Sequence, residues 1–359
     1  MPALRLYAGP AARRYLERHG LRPADVGVVP AAAGGPKGLI LGPLDRFIFG
    51  SWLATSQQPV HLVGASIGAW RMATACLQHS VAAFERLERD YIAQHYELPP
   101  GRRRPSAEQV SEQFGHNLRR FYGGRIPEVL QHPRYRLHIV TAHGRHLLGR
   151  DGPLRTPLGY LGAFAANALH RRALGAWLDR VVFSAPASGD LPFDPTDFRT
   201  RQVALTEANF MDALQASCSI PFALRPVHGI ASAPPGTYWD GGITDYHLHL
   251  RYRPPTDSPL VLYPHFQKAV VPGWLDKVWQ HRHRSTAALD AMLLLAPDPD
   301  WVKTLPNAKL PDRNDFTHYG PNLAARMQAW NRAVHAAQQL ADEFAQWLER
   351  PDLSRVEPL

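Results

Sequence analysis

The chain has 359 residues, of which 45% are hydrophobic and 20% charged, so it can bury a large core and is not disordered over its whole length. No apolar run reaches the roughly 20 residues that span a bilayer, and the N-terminus lacks the apolar stretch of a signal peptide. The net charge of +9 is scattered and no nucleic-acid-binding motif accompanies it, which leaves a solvated basic surface or contact with an anionic membrane.

The first third of the chain predicts two strand–turn–helix units. The first comprises the β-branched strand Val26–Pro30, the small-residue loop Ala31–Gly38 and the apolar helix Leu39–Trp52. The second comprises the strand His61–Val63 and the helix Ala69–Leu77. Because strand and helix alternate, the pattern favours an α/β fold with a parallel sheet and helices on its faces.

The rest of the chain predicts further helices and strands separated by polar connections. The predicted helices are Ser106–Tyr122, one or two Ala-rich helices over Leu158–Leu178, Ala208–Ser217 and Asn322–Glu349, the last packed on the protein's own core. The predicted strands are Arg136–Ala142, Arg180–Phe183 and Leu260–Tyr263, and the predicted connections are Pro99–Pro105, Asp190–Thr200 and Pro254–Pro259. Residues 271–319 give no clear pattern.

A Gly-x-Ser-x-Gly motif lies between the second strand and its helix, where residues 64–68 are Gly-Ala-Ser-Ile-Gly. A serine on such a sharp turn presents its hydroxyl to the open, while Gly64 and Gly68 leave room for the turn and for close helix packing. The helix that follows directs its N-terminal amides towards negative charge developing near Ser66. The motif predicts Ser66 as a nucleophile, and an ordinary glycine-rich turn is the alternative.

The loop Ala33–Gly38, Ala-Gly-Gly-Pro-Lys-Gly, precedes this motif and also joins a strand to a helix. Its backbone N–H groups can hold a phosphate or an oxyanion, although it matches neither a P-loop nor a dinucleotide fingerprint. As an oxyanion hole it would use Gly34 and Gly35, since Pro36 has no N–H, and Lys37 would add positive charge or fix the loop. A tight turn close to a helix is the alternative.

A third motif, Tyr-Trp-Asp-Gly-Gly-Ile-Thr-Asp at residues 238–245, places Asp240 at the end of a short aromatic strand. A carboxylate that its aromatic neighbours partly desolvate can accept the proton of a serine hydroxyl. Gly241 and Gly242 then let the chain turn. Because Asp-Gly-Gly is itself a turn signal, a purely structural role for Asp240 is the alternative, and Asp245 could cap a helix.

The three motifs in this order, together with Ala213–Val227 and its Ala-Ser and spaced prolines, resemble the patatin-like phospholipases. That family combines a glycine-rich oxyanion loop, a Gly-x-Ser-x-Gly elbow, an Ala-Ser…Pro…Pro segment and an Asp-Gly-Gly element. The four blocks span Val26 to Tyr246, about three fifths of the chain. The sequence departs from the family at Ala33, usually glycine, and at the variable position Pro36, so the oxyanion hole is expected to differ in shape.

The resemblance implies a three-layer α/β/α patatin-like fold with a central, mostly parallel sheet. It implies a lipid acyl or carboxylic ester hydrolase with a Ser66–Asp240 dyad, an acyl-enzyme intermediate and no metal or organic cofactor. Phospholipid or another acyl ester would be the substrate. The basic charge of the chain adds the expectation of transient contact with an anionic membrane surface. The oxyanion would be held by Gly34, Gly35 and Ile67, and the supporting residues would be Lys37, Gly38, Gly64, Gly68, Gly241 and Gly242.

The resemblance also sets the expected domain organisation. Residues 1–320 would form the hydrolytic domain with its motifs at 26–246, and 321–359 a C-terminal helix packed on it. The long separation of Ser66 and Asp240 predicts a lid or substrate wall inserted at 99–195. A non-catalytic lipid- or acyl-binding protein and a membrane-recruited regulatory protein are the alternative functions.

The histidines leave a conventional Ser-His-Asp triad open, with His143, His247 or His318 as the third member. His247 and His249 alternate as on a strand, and no His-Glu-x-x-His motif predicts a metal site. Asp190 is a weaker rival to Asp240 as the base.

The cysteine content bears on the compartment. The chain has two cysteines, Cys76 and Cys218, too few for a disulfide framework or a Cys-rich metal site. This composition favours a reduced, cytoplasmic location, with peripheral membrane contact as a variant of it.

Overall fold

The computed structural model describes residues 1–97 and 105–359. The predicted connection Pro99–Pro105 therefore lies outside the described residues, except for Pro105. Within these ranges the chain forms one eleven-stranded sheet. In chain order its strands are β1 (Leu4–Ala8), β2 (Val26–Ala31), β3 (Val60–Ala65), β4 (Tyr135–Gly144), β5 (Leu178–Ser184), β6 (Thr200–Ala204), β7 (Val227–His228), β8 (Thr237–Asp240), β9 (Leu260–Pro264), β10 (Met292–Pro297) and β11 (Val356–Pro358).

The order across the sheet is β11-β1-β10-β9-β2-β3-β4-β5-β6, and β8 pairs with β4 and with the short β7. The pairs are parallel except for β1–β10, β4–β5, β4–β8 and β7–β8. Strands β2, β5, β9 and β10 are buried along their whole length, and β3 and β4 nearly so, as expected where helices cover both faces of a sheet. The predicted α/β class with a central, mostly parallel sheet is confirmed.

Helices surround the sheet in the described part of the chain. They are α1 (Pro10–His19), α2 (Gly42–Phe47), α3 (Ile67–Ala75), α4 (Ser80–Ile92), α5 (Ala107–Tyr122), α6 (Ile126–Leu130), α7 (Arg155–Leu169), α8 (Phe210–Ser217), α9 (Gly242–Asp245), α10 (Pro299–Val302), α11 (Asn314–His318), α12 (Leu323–Ala336) and α13 (Gln338–Glu349). Helix α3 packs against β3 and β2, and α13 packs against β1. None of the described helices has the length and apolarity that a membrane-crossing segment requires.

Strand β4 explains how two distant motifs of the sequence come together. One edge of β4 pairs with β5 over residues 138–144. On the other edge β3 pairs in parallel up to Ala65, opposite Val140, and β8 pairs antiparallel from Asp240, opposite Thr141. Because β3 and β8 approach each other head-on along the same edge, the residues that end them are brought together.

Most of the predicted elements are confirmed within a few residues, and two differ in form. The predicted helix Leu39–Trp52 is divided into a 3-10 helix over Gly35–Leu41, the short α2 and a π-helical turn over Ile48–Trp52. Pro43 explains the break, because proline cannot donate the hydrogen bond that would continue a helix and is tolerated in the first turn of a new one. The predicted helix Asn322–Glu349 is two helices, α12 and α13.

Two regions needed the structure to be interpreted. The predicted strand carrying His247 and His249 is wrong: both residues lie in an irregular segment after α9. Residues 271–319, which gave no pattern, contain a 3-10 helix at Trp274–Val278, strand β10 and the short helices α10 and α11.

Candidate active site

Ser66 occupies the sharp turn between β3 and α3, where its backbone angles are φ 57° and ψ −128°. A non-glycine residue in this region costs about 1–3 kcal/mol, and such strain persists only where the surrounding structure imposes it. The imposing contacts are close: a Cβ at Gly68 would lie 1.9 Å from the carbonyl oxygen of Ala31. Glycine at 68 therefore lets α3 approach β2 and leave Ser66 at the turn, and Gly64 flanks the other side.

Asp240 ends β8 and is buried against Ser66. The Ser66 hydroxyl donates to Asp240 Oδ2 at 2.7 Å, and the Gly242 N–H donates to Oδ1 at 2.7 Å. Gly241 packs against β4, where a Cβ would lie 2.1 Å from the carbonyl oxygen of Val140. Both carboxylate oxygens are thus held in place, with one of them directed at the serine hydroxyl.

The environment of Asp240 makes its carboxylate a better proton acceptor. Burial raises the pKa of Asp240 to about 6, against the lowering effects of the hydrogen bonds from Ser66 and Gly242 and of the charges of Arg313 and Lys277. A base works best when its pKa lies near the operating pH. Asp240 is therefore ionised at neutral pH and more basic than an ordinary aspartate.

Ser217, at the end of α8, contributes to the site although the sequence motifs did not single it out. The Ser66 N–H donates to Ser217 Oγ at 2.9 Å, and the Ser217 hydroxyl donates to the Val140 carbonyl at 2.7 Å. These two hydrogen bonds connect the elbow to β4 and fix the orientation of its backbone. The signal that could have indicated it is the Ala-Ser pair in Ala213–Val227.

The glycine-rich loop lies beside the elbow. Gly35 has φ 58°, a left-handed conformation that favours glycine. Gly38 contacts the Ile67 side chain at the start of α3. Within the described residues, the N–H groups of Gly34, Gly35 and Ile67 donate no hydrogen bond to the protein. They remain available for a ligand, although Gly34 lines the cavity at Ser66 whereas Gly35 and Ile67 do not.

The departure at Ala33 has a structural explanation. The Ala33 N–H donates to the carbonyl oxygen of Tyr246 at 2.9 Å, so it is engaged with the protein. Ala33 also has a negative φ, unlike Gly35, and alanine adopts such a conformation without strain. The methyl group of Ala33 packs towards Gly242. The first position of the loop therefore has no need of glycine in this chain.

A cavity of about 250 Å³ opens at Ser66 and Asp240. Three cationic side chains line it: Lys37 from the glycine-rich loop, Lys277 from the 3-10 helix at Trp274–Val278, and Arg313 just before α11. The side-chain nitrogens of Lys37, Lys277 and Arg313 form no ion pair or hydrogen bond with another described residue. The lining carboxylate Asp312 is paired with Lys309 at 2.7 Å.

The cations influence one another and the base. The cavity wall partly desolvates the Lys277 ammonium, and this desolvation together with the charges of Lys37 and Arg313 lowers the pKa of Lys277 to about 8. Desolvation lowers the pKa of Lys37 as well. The Lys277 ammonium lies 4.1 Å from the ring centre of Tyr246. Positive charges that lack a carboxylate partner give the cavity a potential that attracts negative charge.

The histidines and Asp190 lie outside this arrangement. His143 bonds to the carbonyl oxygen of Pro235, and His247 to that of Ala269, so neither contacts Ser66. His318 and Asp190 are exposed. No group of three or more potential metal ligands from His, Cys, Asp and Glu lies together in the described part of the chain. Cys76 and Cys218 are buried free thiols.

The geometry places the protein in a general class. It is an α/β protein in which a strained serine after a central strand is hydrogen-bonded to a buried aspartate and lies beside a glycine-rich loop. A family model described as patatin-like phospholipase matches residues 33–247, which is more than half of the chain. The chain belongs to the patatin-like phospholipase family, a family of lipid hydrolases. The match includes Ser66 and Asp240 and ends before Lys277 and Arg313.

Comparison with other proteins adds one structural likeness. The crystal structure of VipD from Legionella pneumophila is similar at 13% sequence identity and a TM-score of 0.35, over 89% of this chain and 67% of VipD. A search of curated protein sequences found no match.

Proposed function

We propose that this protein is a serine acyl hydrolase in which Ser66 is the nucleophile and Asp240 the general base. The observation that carries the proposal is the 2.7 Å hydrogen bond from the Ser66 hydroxyl to Asp240 Oδ2, made by a serine on a strained turn. A nucleophile within hydrogen-bond distance of a positioned base is the arrangement that activates a hydroxyl. Membership of a lipid hydrolase family supports an acyl ester as the substrate.

The proposed reaction has two halves. Asp240 takes the Ser66 proton as Oγ attacks the ester carbonyl carbon, and the tetrahedral intermediate collapses when the leaving alcohol oxygen takes that proton from Asp240. Asp240 then deprotonates a water molecule that attacks the acyl-enzyme, and Ser66 recovers its proton as the carboxylic acid leaves. The N–H group of Gly34, which lines the cavity, stabilises the oxyanion in both halves. The N–H groups of Gly35, next to Gly34, and of Ile67, next to Ser66, are the adjacent candidates for the same role.

Three features support these roles. The raised pKa of Asp240, about 6, suits a base that works near neutral pH and must give its proton back. The N–H groups assigned to the oxyanion donate no hydrogen bond to the protein among the described residues. The cations Lys37, Lys277 and Arg313 favour an ester that carries a negative group, such as a phosphate, close to the reacting carbonyl.

A fluorophosphonate probe, which phosphonylates an activated serine Oγ with loss of fluoride, tests the nucleophile. We expect labelling of the wild type and none of Ser66→Ala, with turnover of a soluble ester reduced about 10⁴-fold or more. The matched control is Ser188→Ala, another buried serine, whose hydroxyl has no hydrogen-bond partner among the described residues and lies outside the site. Equal labelling of wild type and Ser66→Ala would refute the assignment, and an unlabelled wild type would favour a non-catalytic acyl-binding protein.

A further inference from the structure

Helix α7 exposes an apolar face to solvent. Its inward side is formed by five buried residues: Thr156, Gly159, Tyr160, Ala163 and Asn167. Arg155, at its first turn, is the only charged residue in the fifteen-residue helix. On the outward side Leu158 and Leu161 are 55% and 64% exposed. A surface helix normally places polar residues there, so an apolar outward face indicates a surface that something else covers.

The apolar exposure is concentrated at this helix and its neighbours. Of the ten large apolar side chains that are exposed among the described residues, eight lie on or beside α7. These eight are Leu147, Leu154, Leu158, Leu161, Phe164, Leu169, Phe222 and Val278. We call them the α7 face. The other two, Met1 and Val81, lie elsewhere.

Contacts join the neighbouring residues to α7. Leu147 lies against the helix at Gly159, where a Cβ would be 3.5 Å away. The Phe222 ring lies 5.8 Å from the Tyr160 ring, and the Phe164 ring lies 6.4 Å from that of Trp279, next to Val278. These contacts hold the exposed side chains of the neighbouring segments around α7.

Two members of the α7 face directly follow residues that line the active-site cavity. Phe222 directly follows Ile220 and Pro221, which line the cavity. Val278 directly follows Lys277, which also lines it. A ligand held against the α7 face would therefore lie beside the opening that leads to Ser66.

The charges next to the face are mainly positive. Arg155, Arg172, Lys277 and Arg284 are exposed, and the Arg282 guanidinium holds its segment against the end of α7 by donating to the carbonyl oxygen of Asn167. Two acidic groups of the same region contact basic side chains. Asp276 is buried between Arg171 and Arg282, and Asp151 contacts His228.

We propose that the α7 face docks on an anionic lipid bilayer, its apolar side chains entering the interface and its flanking cations facing the headgroups. Charge complementarity favours this occupant over a second copy of the chain, because two such faces would bring their arginines and lysines together. Apolar insertion combined with lysine and arginine at the rim is how interfacial helices bind membranes. Docking in this orientation places the cavity mouth at the lipid surface. The proposal extends the proposed acyl hydrolysis to a bilayer substrate, and its binding step is measurable without catalysis.

The binding test uses the full chain carrying Ser66→Ala, so that no lipid is consumed. Co-sedimentation is measured with vesicles of phosphatidylcholine alone and of phosphatidylcholine mixed with phosphatidylglycerol. We expect binding to the mixed vesicles that weakens with salt, and about tenfold or more weaker partitioning when Leu158→Gln and Leu161→Gln are added. Both leucines are exposed, so the fold is expected to persist, which a thermal melt verifies. The matched control is Val81→Gln, which should bind as the parent does because Val81 lies away from the cavity mouth. Helix α3 leads away from Ser66, and α4, which carries Val81, begins after the end of α3 that is farther from Ser66.

The activity test uses the same substitutions in the chain with native Ser66. We expect Leu158→Gln with Leu161→Gln to leave turnover of a soluble ester unchanged and to lower turnover of an ester presented in mixed vesicles. Loss of both activities would count against docking as the explanation. The docking proposal is wrong if the leucine variant binds mixed vesicles as tightly as Val81→Gln. It is also wrong if the parent binds no vesicle but self-associates through the two leucines. Inactivity towards every ester together with intact vesicle binding would refute the proposed function alone.

Discussion

Two segments of the chain meet at the cavity, and the side chains that they contribute differ in burial and in bonding to the protein. Residues 33–247, which match the family, supply the strained Ser66, the buried Asp240 and the glycine-rich loop. Residues 271–319 lie outside that match and supply Lys277 and Arg313, which are exposed and without a carboxylate partner in the described part of the chain.

Catalysis and attraction of a charged ligand require different degrees of positional precision. Proton transfer and attack need reacting atoms within a few tenths of an ångström, which close packing and buried hydrogen bonds provide. Attraction of a charged group acts over a longer distance and tolerates mobile side chains. We therefore expect the first segment to determine whether the reaction occurs and the second to determine which esters react fastest.

Apart from substitution of Ser66, we expect Asp240→Asn to lower turnover more than any other substitution in either segment. The amide cannot take the serine proton, so turnover should fall by about 10²–10⁴-fold for neutral and anionic esters alike. Steady-state rates with one ester of each kind measure this. The control is Asp190→Asn, which changes an exposed aspartate and should leave both rates unchanged. A decrease confined to anionic esters would contradict the proposed division of roles.

Lys277→Gln and Arg313→Gln should have a smaller and selective effect. Each removes a charge that can bond to an anionic group, so each should lower kcat/KM for an acylglycerol phosphate by about tenfold. The matching acylglycerol without phosphate should react at nearly the unchanged rate near neutral pH. Short acyl chains keep both substrates monomeric, which separates this effect from docking on a bilayer. Lys303→Gln, in the same segment and paired with Asp300, is the control. Equal losses with both substrates would show that the cations act on the base and not on the ligand.

Asp240→Asn should also make the protein more stable, because burial raises the pKa of Asp240 to about 6 from its ordinary 3.8. The folded protein binds that proton more tightly than the unfolded chain, so its stability falls as the pH rises from about 4 through 6. Above pH 6 a neutral asparagine avoids the buried charge, and the free energy of unfolding should increase by on the order of 2 kcal/mol. Urea unfolding of both proteins above and below this range measures it. A destabilised variant above pH 6 would mean that the carboxylate is stabilised by its partners and not penalised by burial.

Much of the first segment could be predicted from sequence because its constraints are local. The turn at Ser66 needs Gly68 next to it, and Asp240 needs the glycines that follow, so both motifs lie within a few residues. What could not be predicted is that β3 and β8 both pair with the same edge of β4, because this arrangement brings together residues far apart in the chain. The hydrogen bond from Ser66 to Ser217 depends on the same pairing.

The second segment could not be predicted because nothing in its sequence indicates a partner. Lys277 lies on a short 3-10 helix and Arg313 before a five-residue helix, and neither has the periodicity that marks a longer element. The edge strand β11 and its neighbour β1 could not be predicted for a related reason. Strand β1 has five residues and β11 has three, which is too short for a clear alternation pattern. Strand β11 forms by pairing with β1 at the other end of the chain, and its own sequence does not indicate that partner.

The pH dependence of turnover links the two segments through one measurable quantity. Asp240 must be ionised to act as the proposed base, so kcat/KM for a neutral ester should fall about tenfold for each pH unit below its pKa, about 6. Arg313 and Lys277 lower that pKa by their charge. Arg313→Gln should therefore move the acidic limb of the profile to higher pH, while Lys303→Gln leaves it in place. An unmoved limb in Arg313→Gln would mean that the second segment does not influence the base and acts on the ester alone.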